Sequence, residues 1–192
     1  MRIACVLSAA ELEGNIADLI IFPEGVNASE LEAAANIQPG AVIVGAILDG
    51  PYSRGIVWHN KMHHIDYLKV ESDGRTKGSG NFNQLPIAHF EHFSVAVLVC
   101  KDIDNVRFSG SVREALRASE NAIKVLCIPA DMGSYWLEGT ALPFPAIYAG
   151  MYVALCNNTV THQSRCKSFV ADRNGKKNCI QLDTEPIHID VC

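Results

Sequence analysis

Ten short apolar segments recur along the chain, and their length constrains the fold more than any other feature. They are rich in Val and Ile, and several are apolar on both faces. Such runs are typical of β-strands that are buried in a covered sheet. The runs span 2–9, 17–24, 40–48, 55–60, 64–70, 92–99, 122–130, 151–158, 166–172 and 186–192. The chain is therefore predicted to be built mainly on buried sheet.

Helical patterns lie between some of these runs. Segment 27–37 opens with an Asn or Ser cap candidate, segment 109–122 opens with Ser caps, and 143–150 has Pro inside its first turn. The Asn174-Gly175 pair predicts a hairpin turn between two late strands. This order favours a layered α/β fold, with a mixed sheet or a pair of sheets flanked by helices.

The whole chain, residues 1–192, is predicted to form a single domain, because it has no repeat and no linker. Its formal net charge of −5 gives no electrostatic reason to expect nucleic acid or an anionic membrane as a partner. The start lacks the pattern of a signal peptide, and no apolar run approaches the ~20 residues that span a bilayer. We therefore expect a soluble, cytoplasmic protein.

Three polar residues stand at the ends of predicted strands, where catalytic side chains are often displayed. They are Glu24, Lys69 and Cys100. Each alone has an ordinary explanation: a solvated carboxylate, an edge-strand lysine and one packed thiol among seven cysteines. Together they offer a base, a cation and a nucleophile, which is what a protonated thiol needs for activation.

Seven fragments, in order, resemble the nitrilase (carbon–nitrogen hydrolase) superfamily. ADLIIFPEG is similar to the family's strand ending in Phe-Pro-Glu, DYLKV to its lysine strand, and SVAVLVCKD to its nucleophile strand. VLCIPAD, MYVALCNN, CKSFVADRNGK and PIHIDVC resemble the strands that follow. The resemblance runs nearly end to end.

The resemblance implies a four-layer α-β-β-α sandwich. Because only about eight residues separate the first two strands, we expect a reduced helical layer. Members of the family commonly pair through their helical faces, which implies a homodimer or a higher homo-oligomer. The resemblance further implies a Glu–Lys–Cys triad of Glu24, Lys69 and Cys100, without a cofactor.

A supporting set of pocket residues is also implied. Lys101 would contribute an N–H to an oxyanion, Asp102 would orient the turn after the nucleophile, and Glu71 is the nearest candidate for a second pocket glutamate. The remaining members are Pro129, Ala130, Tyr135 and Trp136. A turn cap explains Asp102 equally well, and packing in the core or at an interface is the alternative explanation for Tyr135 and Trp136.

The histidines His59, His63 and His64 do not predict a metal site, because no carboxylate or cysteine motif accompanies them. The Gly-rich segment 74–81 lacks the form of a phosphate-binding loop.

The predicted function is therefore hydrolysis of the C–N bond of a small, non-peptide amide through a Cys thioester. Nitrile hydrolysis, carbamoyl hydrolysis and acyl transfer are variants of the same chemistry. A catalytically idle binding or assembly protein is the alternative from another class. A redox-sensing thiol protein is a third, although Cys100 lacks a recognisable resolving cysteine beside it.

Overall fold

A computed structural model describes residues 1–132 apart from 74, 81 and 83, together with 150–158, 168–174 and the two strands at 177–180 and 187–190. Within these residues it contains two six-stranded sheets and two α-helices. Neither helix has the length and apolarity that crossing a membrane requires.

The first sheet is mixed. Its strands, in spatial order, are β12 (Ile187–Asp190), β1 (Arg2–Cys5), β2 (Leu19–Glu24), β3 (Val42–Asp49), β4 (Tyr52–His59) and β5 (Met62–Leu68). The three strands β1, β2 and β3 run parallel to one another, and the flanking strands pair antiparallel.

The second sheet repeats this plan. Its order is β11 (Lys177–Ile180), β10 (Phe169–Ala171), β9 (Tyr152–Asn157), β8 (Ile123–Ala130), β7 (Phe93–Val97) and β6 (Ile87–His89). Here β7, β8 and β9 are parallel, and the outer pairs are antiparallel.

The two sheets face each other across the larger hydrophobic core. Helix α1 (Ala28–Ile37) buries Leu31 and Ala34 against the outer face of the first sheet, and α2 (Val106–Ala118) covers the second. The predicted α-β-β-α layering is thereby confirmed. Only a 3-10 turn, Ala9–Leu12, stands between β1 and β2, so the outer layer is reduced there as expected.

Each of the ten predicted apolar runs overlaps a strand, whereas β6 and β11 were not predicted. Both are short, and two of the four residues of β11 are polar. Helix α2 begins at Val106, earlier than the Ser cap expected at Ser109, because Asn105 Oδ1 accepts a hydrogen bond from the Phe108 N–H at 2.8 Å. The third predicted helix, 143–150, lies almost wholly outside the described residues, as does Gly175 of the predicted hairpin turn.

Candidate active site

Glu24, Lys69 and Cys100 converge at one end of the sandwich. Glu24 is the last residue of β2, Lys69 directly follows β5, and Cys100 lies shortly after β7. The Lys69 Nζ donates to Glu24 Oε1 at 2.9 Å, and a Glu24 carboxylate oxygen lies within 4.8 Å of the Cys100 sulfur. Their exposed fractions are 3%, 0% and 5%, so the three groups meet away from water.

A β-bulge turns Glu24 into the space between the sheets. Ile21 pairs with Val44 and Glu24 pairs with Ala46, so three residues of β2 are matched by two of β3. The bulge contains Pro23, which has no N–H to give to the sheet ladder. Without the extra residue, strict alternation would place Glu24 on the outer face with α1. The Phe-Pro-Glu sequence therefore aims the carboxylate as well as supplying it.

Lys69 reaches the same space by simple alternation, since Ile65 and Tyr67 also face the core between the sheets. Burial alone would lower the pKa of its ammonium. The Cys100 thiolate form and the carboxylates of Glu24 and Asp73 outweigh burial, so the pKa of Lys69 is raised. The side chain is thus held as a cation in a buried site, with a further hydrogen bond to Thr76 Oγ1 at 3.3 Å.

Cys100 occupies a strained turn. Its φ of 46° is in the left-handed region, which costs a non-glycine residue about 1 kcal/mol or more and is concentrated at functional sites. Burial and the Glu24 carboxylate raise the pKa of the thiol to about 12, although Lys69 and the backbone N–H of Asp131 oppose them. At neutral pH the Cys100 side chain is therefore a protonated thiol.

Asp73 is a member of the site that the sequence did not reveal. One carboxylate oxygen accepts from the Arg75 N–H at 2.9 Å and the Thr76 N–H at 2.8 Å, and the other binds the Lys69 ammonium. The signal for this turn is the SDGRT sequence, because Asp commonly accepts from the backbone N–H groups that follow it. Asp73 thus gives Lys69 a second carboxylate partner.

The Asp73 pairing predicts a stability change in acid. Burial favours its neutral form, but the bonds from Lys69 and from the Thr76 and Arg75 N–H groups outweigh burial and lower its pKa to about 2. Between about pH 4 and pH 2 the unfolded chain therefore binds more protons than the folded one, and the free energy of unfolding decreases as the pH is lowered. In Asp73→Asn this contribution is absent, so the difference in free energy of unfolding between wild type and variant should shrink toward pH 2.

Denaturant unfolding across this pH range measures the effect. Glu13→Gln, which changes an exposed carboxylate outside the site, is the control and should follow the wild-type pH profile. A constant gap between wild type and Asp73→Asn from pH 5 to pH 2 would contradict the assignment.

A cavity of about 120 Å³ lies beside these groups. Glu24 and Asp73, each with an oxygen within 4.8 Å of the Cys100 sulfur, line it. Its other lining side chains include Leu48, Thr76 and an ion pair between Arg75 and Asp131. The space is sufficient for a small molecule only, about the scale of a benzene-sized cavity.

Asp102 acts behind the site. Its Oδ1 accepts from the Val70 and Glu71 N–H groups, both at 2.8 Å, and its Oδ2 accepts from the Tyr67 hydroxyl at 3.1 Å. Burial raises the pKa of this carboxyl to about 7, against the opposing effect of those hydrogen bonds. Asp102 therefore fixes the chain that leaves Lys69 relative to the turn that carries Cys100.

The other residues expected in the pocket that the structure describes do not line the cavity. The Glu71 carboxylate accepts from Asn105 Nδ2 at 2.6 Å and does not line the described cavity, so the second carboxylate beside Lys69 is Asp73. The Lys101 ammonium pairs with Asp104 at 2.5 Å on the surface. Pro129 and Ala130 end β8, beside the site.

Tyr135 and Trp136 lie outside the described residues, and their pocket role stays a prediction.

A metal ion does not suit this cluster. Glu24, Asp73 and Cys100 offer three potential ligand atoms within 4.8 Å of one another, but the Lys69 ammonium already binds both carboxylates. The histidines His59, His63 and His64 do not form such a set in the part of the chain that the structure describes. His59 instead bonds to Ala41 O and packs edge-on against Phe90.

No protein-family model matches the sequence, and no curated protein matches it either. Solved structures do match. The chain is similar to the NitN amidase from Neterenkonia sp. AN1, with 17% identity, a TM-score of 0.74 and coverage of 100% of this chain and 93% of that one. It is also similar to Saccharomyces cerevisiae Nit3, a member of branch 10 of the nitrilase superfamily, with 13% identity, a TM-score of 0.74 and coverage of 98% and 89%.

A third similar structure is a mutant of the amidase from Nesterenkonia sp. AN1 that carries acrylamide, added by Michael addition, at its active-site cysteine. It has 17% identity and a TM-score of 0.73, and the match covers 100% of this chain and 93% of that one. At these identities the comparisons establish the fold. The chain has the fold of the nitrilase, or carbon–nitrogen hydrolase, superfamily.

Proposed function

We propose that this chain, which has the nitrilase-type fold, hydrolyses the C–N bond of a small amide through a thioester on Cys100. One observation carries the proposal: a carboxylate, an ammonium and a thiol share one buried cluster. Glu24 and Lys69 come together there although they are 45 residues apart along the chain. Glu24 is the base, Lys69 stabilises the oxyanion and Cys100 is the nucleophile.

The state of the thiol decides how the first step runs. Because the pKa of Cys100 is raised to about 12, a preformed thiolate is scarce at neutral pH. Glu24 therefore takes the thiol proton as the sulfur attacks the amide carbon, which makes general-base catalysis part of the first step.

The attack moves negative charge onto the amide oxygen. The Lys69 ammonium is bonded to Glu24 beside the reacting sulfur, and in a buried site its attraction is weakly screened. The N–H of Lys101, the residue that follows Cys100, is a second donor to the oxyanion. Protonated Glu24 then gives its proton to the leaving nitrogen, the C–N bond breaks, and ammonia departs from a primary amide.

The second half-reaction releases the acid. Glu24 accepts a proton from water as the water oxygen attacks the thioester carbon, Lys69 again stabilises the oxyanion, and the sulfur leaves with the proton from Glu24. The carboxylic acid product is released, and the Glu24 carboxylate and the Cys100 thiol are regenerated. Glu24 changes between base and acid twice in each cycle, so it must stay next to both the sulfur and the amide nitrogen.

The geometry of Glu24 suits this shuttling. Oε1 is occupied by Lys69, whereas Oε2 is buried and has no hydrogen-bond partner among the described residues. A buried acceptor without a donor costs about 1–3 kcal/mol, and an amide NH₂ group or an attacking water can satisfy it. This arrangement favours substrates that bring a hydrogen-bond donor on the leaving group.

Small aliphatic amides fit the cavity best. Its volume of about 120 Å³ excludes large acyl groups. The similar amidase from Nesterenkonia sp. AN1 has been captured with acrylamide at its active-site cysteine and, as a mutant, in complex with butyramide. These two compounds are therefore the first probes for this chain.

An ammonia-release screen over short amides, nitriles and carbamoyl compounds tests the proposal. We expect release from butyramide or a similar primary amide, with a transient acyl adduct on Cys100 that mass spectrometry detects. Labelling at the same residue by acrylamide would show a reactive thiol. No turnover in any class, combined with acrylamide labelling that does not prefer Cys100 over the other cysteines, would instead support a catalytically idle protein.

A further inference from the structure

The Tyr67 hydroxyl forms a direct hydrogen bond between the two sheets, next to the nucleophile. Tyr67 lies in β5 of the first sheet, and Val99 lies between β7 of the second sheet and Cys100. The Val99 N–H donates to the Tyr67 Oη at 2.7 Å, and the Tyr67 hydroxyl donates to Asp102 Oδ2 at 3.1 Å. One side chain thereby holds the residue before Cys100 and the residue two positions after it.

This bond marks the point where the chain leaves the second sheet. The Val97 N–H of β7 donates to the Pro86 carbonyl oxygen at 3.0 Å, on the side of β6. Val99 is two residues further along, so its N–H points to the same edge, where the Tyr67 hydroxyl takes the place of a neighbouring strand. The next residue is Cys100, with its φ of 46°. Such a conformation persists only where the surrounding structure fixes it, and the Tyr67 hydroxyl supplies one of those fixed points.

Gly55 provides the space in which the Tyr67 ring lies. It faces Tyr67 across the pair of β4 and β5, in the same cross-strand row as Glu24. A Cβ atom at Gly55 would overlap Cε1 of Tyr67 and would lie 2.9 Å from Val99 Cγ2. Glycine therefore leaves open a space that any other residue would close. The ring also packs against Phe108 of α2, with the two centroids 6.0 Å apart, so it is held from both sheets.

We infer that Tyr67, seated on Gly55, is a positioning residue: its hydroxyl holds the turn that keeps the Cys100 sulfur beside Glu24. The inference rests on the proposed function only in taking Cys100 as the nucleophile and Glu24 as its base. Lys69 follows Tyr67 by two residues and faces the same core, so one stretch of chain positions both the ammonium and the sulfur. Without the hydroxyl the turn loses this anchor, and a displacement of about 1 Å can slow a reaction about a hundredfold.

Alkylation of Cys100 by iodoacetamide at pH 7, followed residue by residue with mass spectrometry, tests the inference without a substrate. The thiol is protonated at this pH, so its alkylation depends on proton transfer to Glu24 and hence on the position of the sulfur. Tyr67→Phe keeps the ring and removes the hydroxyl, and it should slow alkylation roughly tenfold or more. Tyr152→Phe, which changes a buried tyrosine at the end of β9 remote from the site, is the matched control and should react at the wild-type rate. An unchanged or faster rate in Tyr67→Phe would overturn the inference.

Gly55→Ala tests the same contact from the side of β4. It keeps the hydroxyl but displaces the ring, so it should also slow alkylation, whereas Gly110→Ala, which adds a methyl group in open space on α2, should not. In the Tyr67→Phe background, Gly55→Ala should slow alkylation little further, because the bond that it disturbs is already absent. Slowing by the full product of the two single effects would contradict the inference. If Gly55→Ala does not fold, the alkylation rate of Tyr67→Phe alone decides the question.

Turnover separates a positioning role from a role in substrate binding. For the best amide of the ammonia-release screen, Tyr67→Phe should lower kcat by about the factor seen in alkylation and leave KM unchanged. A higher KM with an unchanged kcat would place the hydroxyl in substrate binding and overturn the inference. Slower alkylation in a chain that hydrolyses no amide would uphold the inference and refute the proposed function. Turnover combined with a wild-type alkylation rate in Tyr67→Phe would do the reverse.

Discussion

Replacing Cys100 by alanine is expected to abolish amide hydrolysis, with a fall in kcat on the order of 10⁵ or more, as for other enzymes that lose a covalent nucleophile. The effect is this large because neither Glu24 nor Lys69 can form the acyl bond. The fold should survive, because a thiol of similar size to a methyl group is lost from a turn beside the cavity. Ammonia release and the absence of an acyl adduct measure the loss of chemistry, and denaturant unfolding measures the survival of the fold.

Cys127 provides the matched control. It is also a buried, free thiol on the second sheet, but it lies within β8 rather than at the site. Cys127→Ala should keep turnover and lose about 1 kcal/mol of stability through its small cavity. Equal turnover in Cys100→Ala and wild type would end the assignment of the nucleophile, and an acyl adduct on another cysteine would move it.

The strands and the three central site residues could be anticipated because each is a local property of the sequence. Apolar runs define the strands, and Glu24, Lys69 and Cys100 each stand where such a run ends. Their meeting could not be obtained from spacing. It depends on sheet order, since β2 and β5 lie in one sheet and β7 lies in the other. The family resemblance supplied that information in place of a physical derivation.

The sequence did not predict the rest of the site, and each omission has a structural reason. The bulge at Pro23 changes which face Glu24 occupies, and only the pairing of β2 with β3 shows it. Asp73 and Arg75 lie in a turn whose polar sequence is typical of any solvated loop, so their contacts with Lys69 and Asp131 follow from tertiary structure alone. Glu71 was the nearest glutamate along the chain, but its backbone position directs it to Asn105.

Replacing Lys69 by methionine is expected to have the largest effect on stability. Its ammonium has no exposed surface and binds the carboxylates of Glu24 and Asp73. Removing one partner of a buried ion pair costs about 3–5 kcal/mol, because the remaining charge stays buried without compensation. Turnover should also be lost, since no other cation in the described residues contacts Glu24. Denaturant unfolding and ammonia release measure the two effects.

Two further variants separate the loss of charge from the loss of packing. Lys101→Met removes a lysine whose ion pair with Asp104 is half exposed, and it should cost no more than about 1 kcal/mol. In Lys69→Met with Glu24→Gln, one of the two stranded carboxylates becomes neutral, so part of the lost stability should return while activity stays absent. If the double variant were less stable than Lys69→Met, packing of the lysine side chain would be the dominant contribution. If Lys69→Met were as stable as Lys101→Met, the buried charge cluster would not exist in solution.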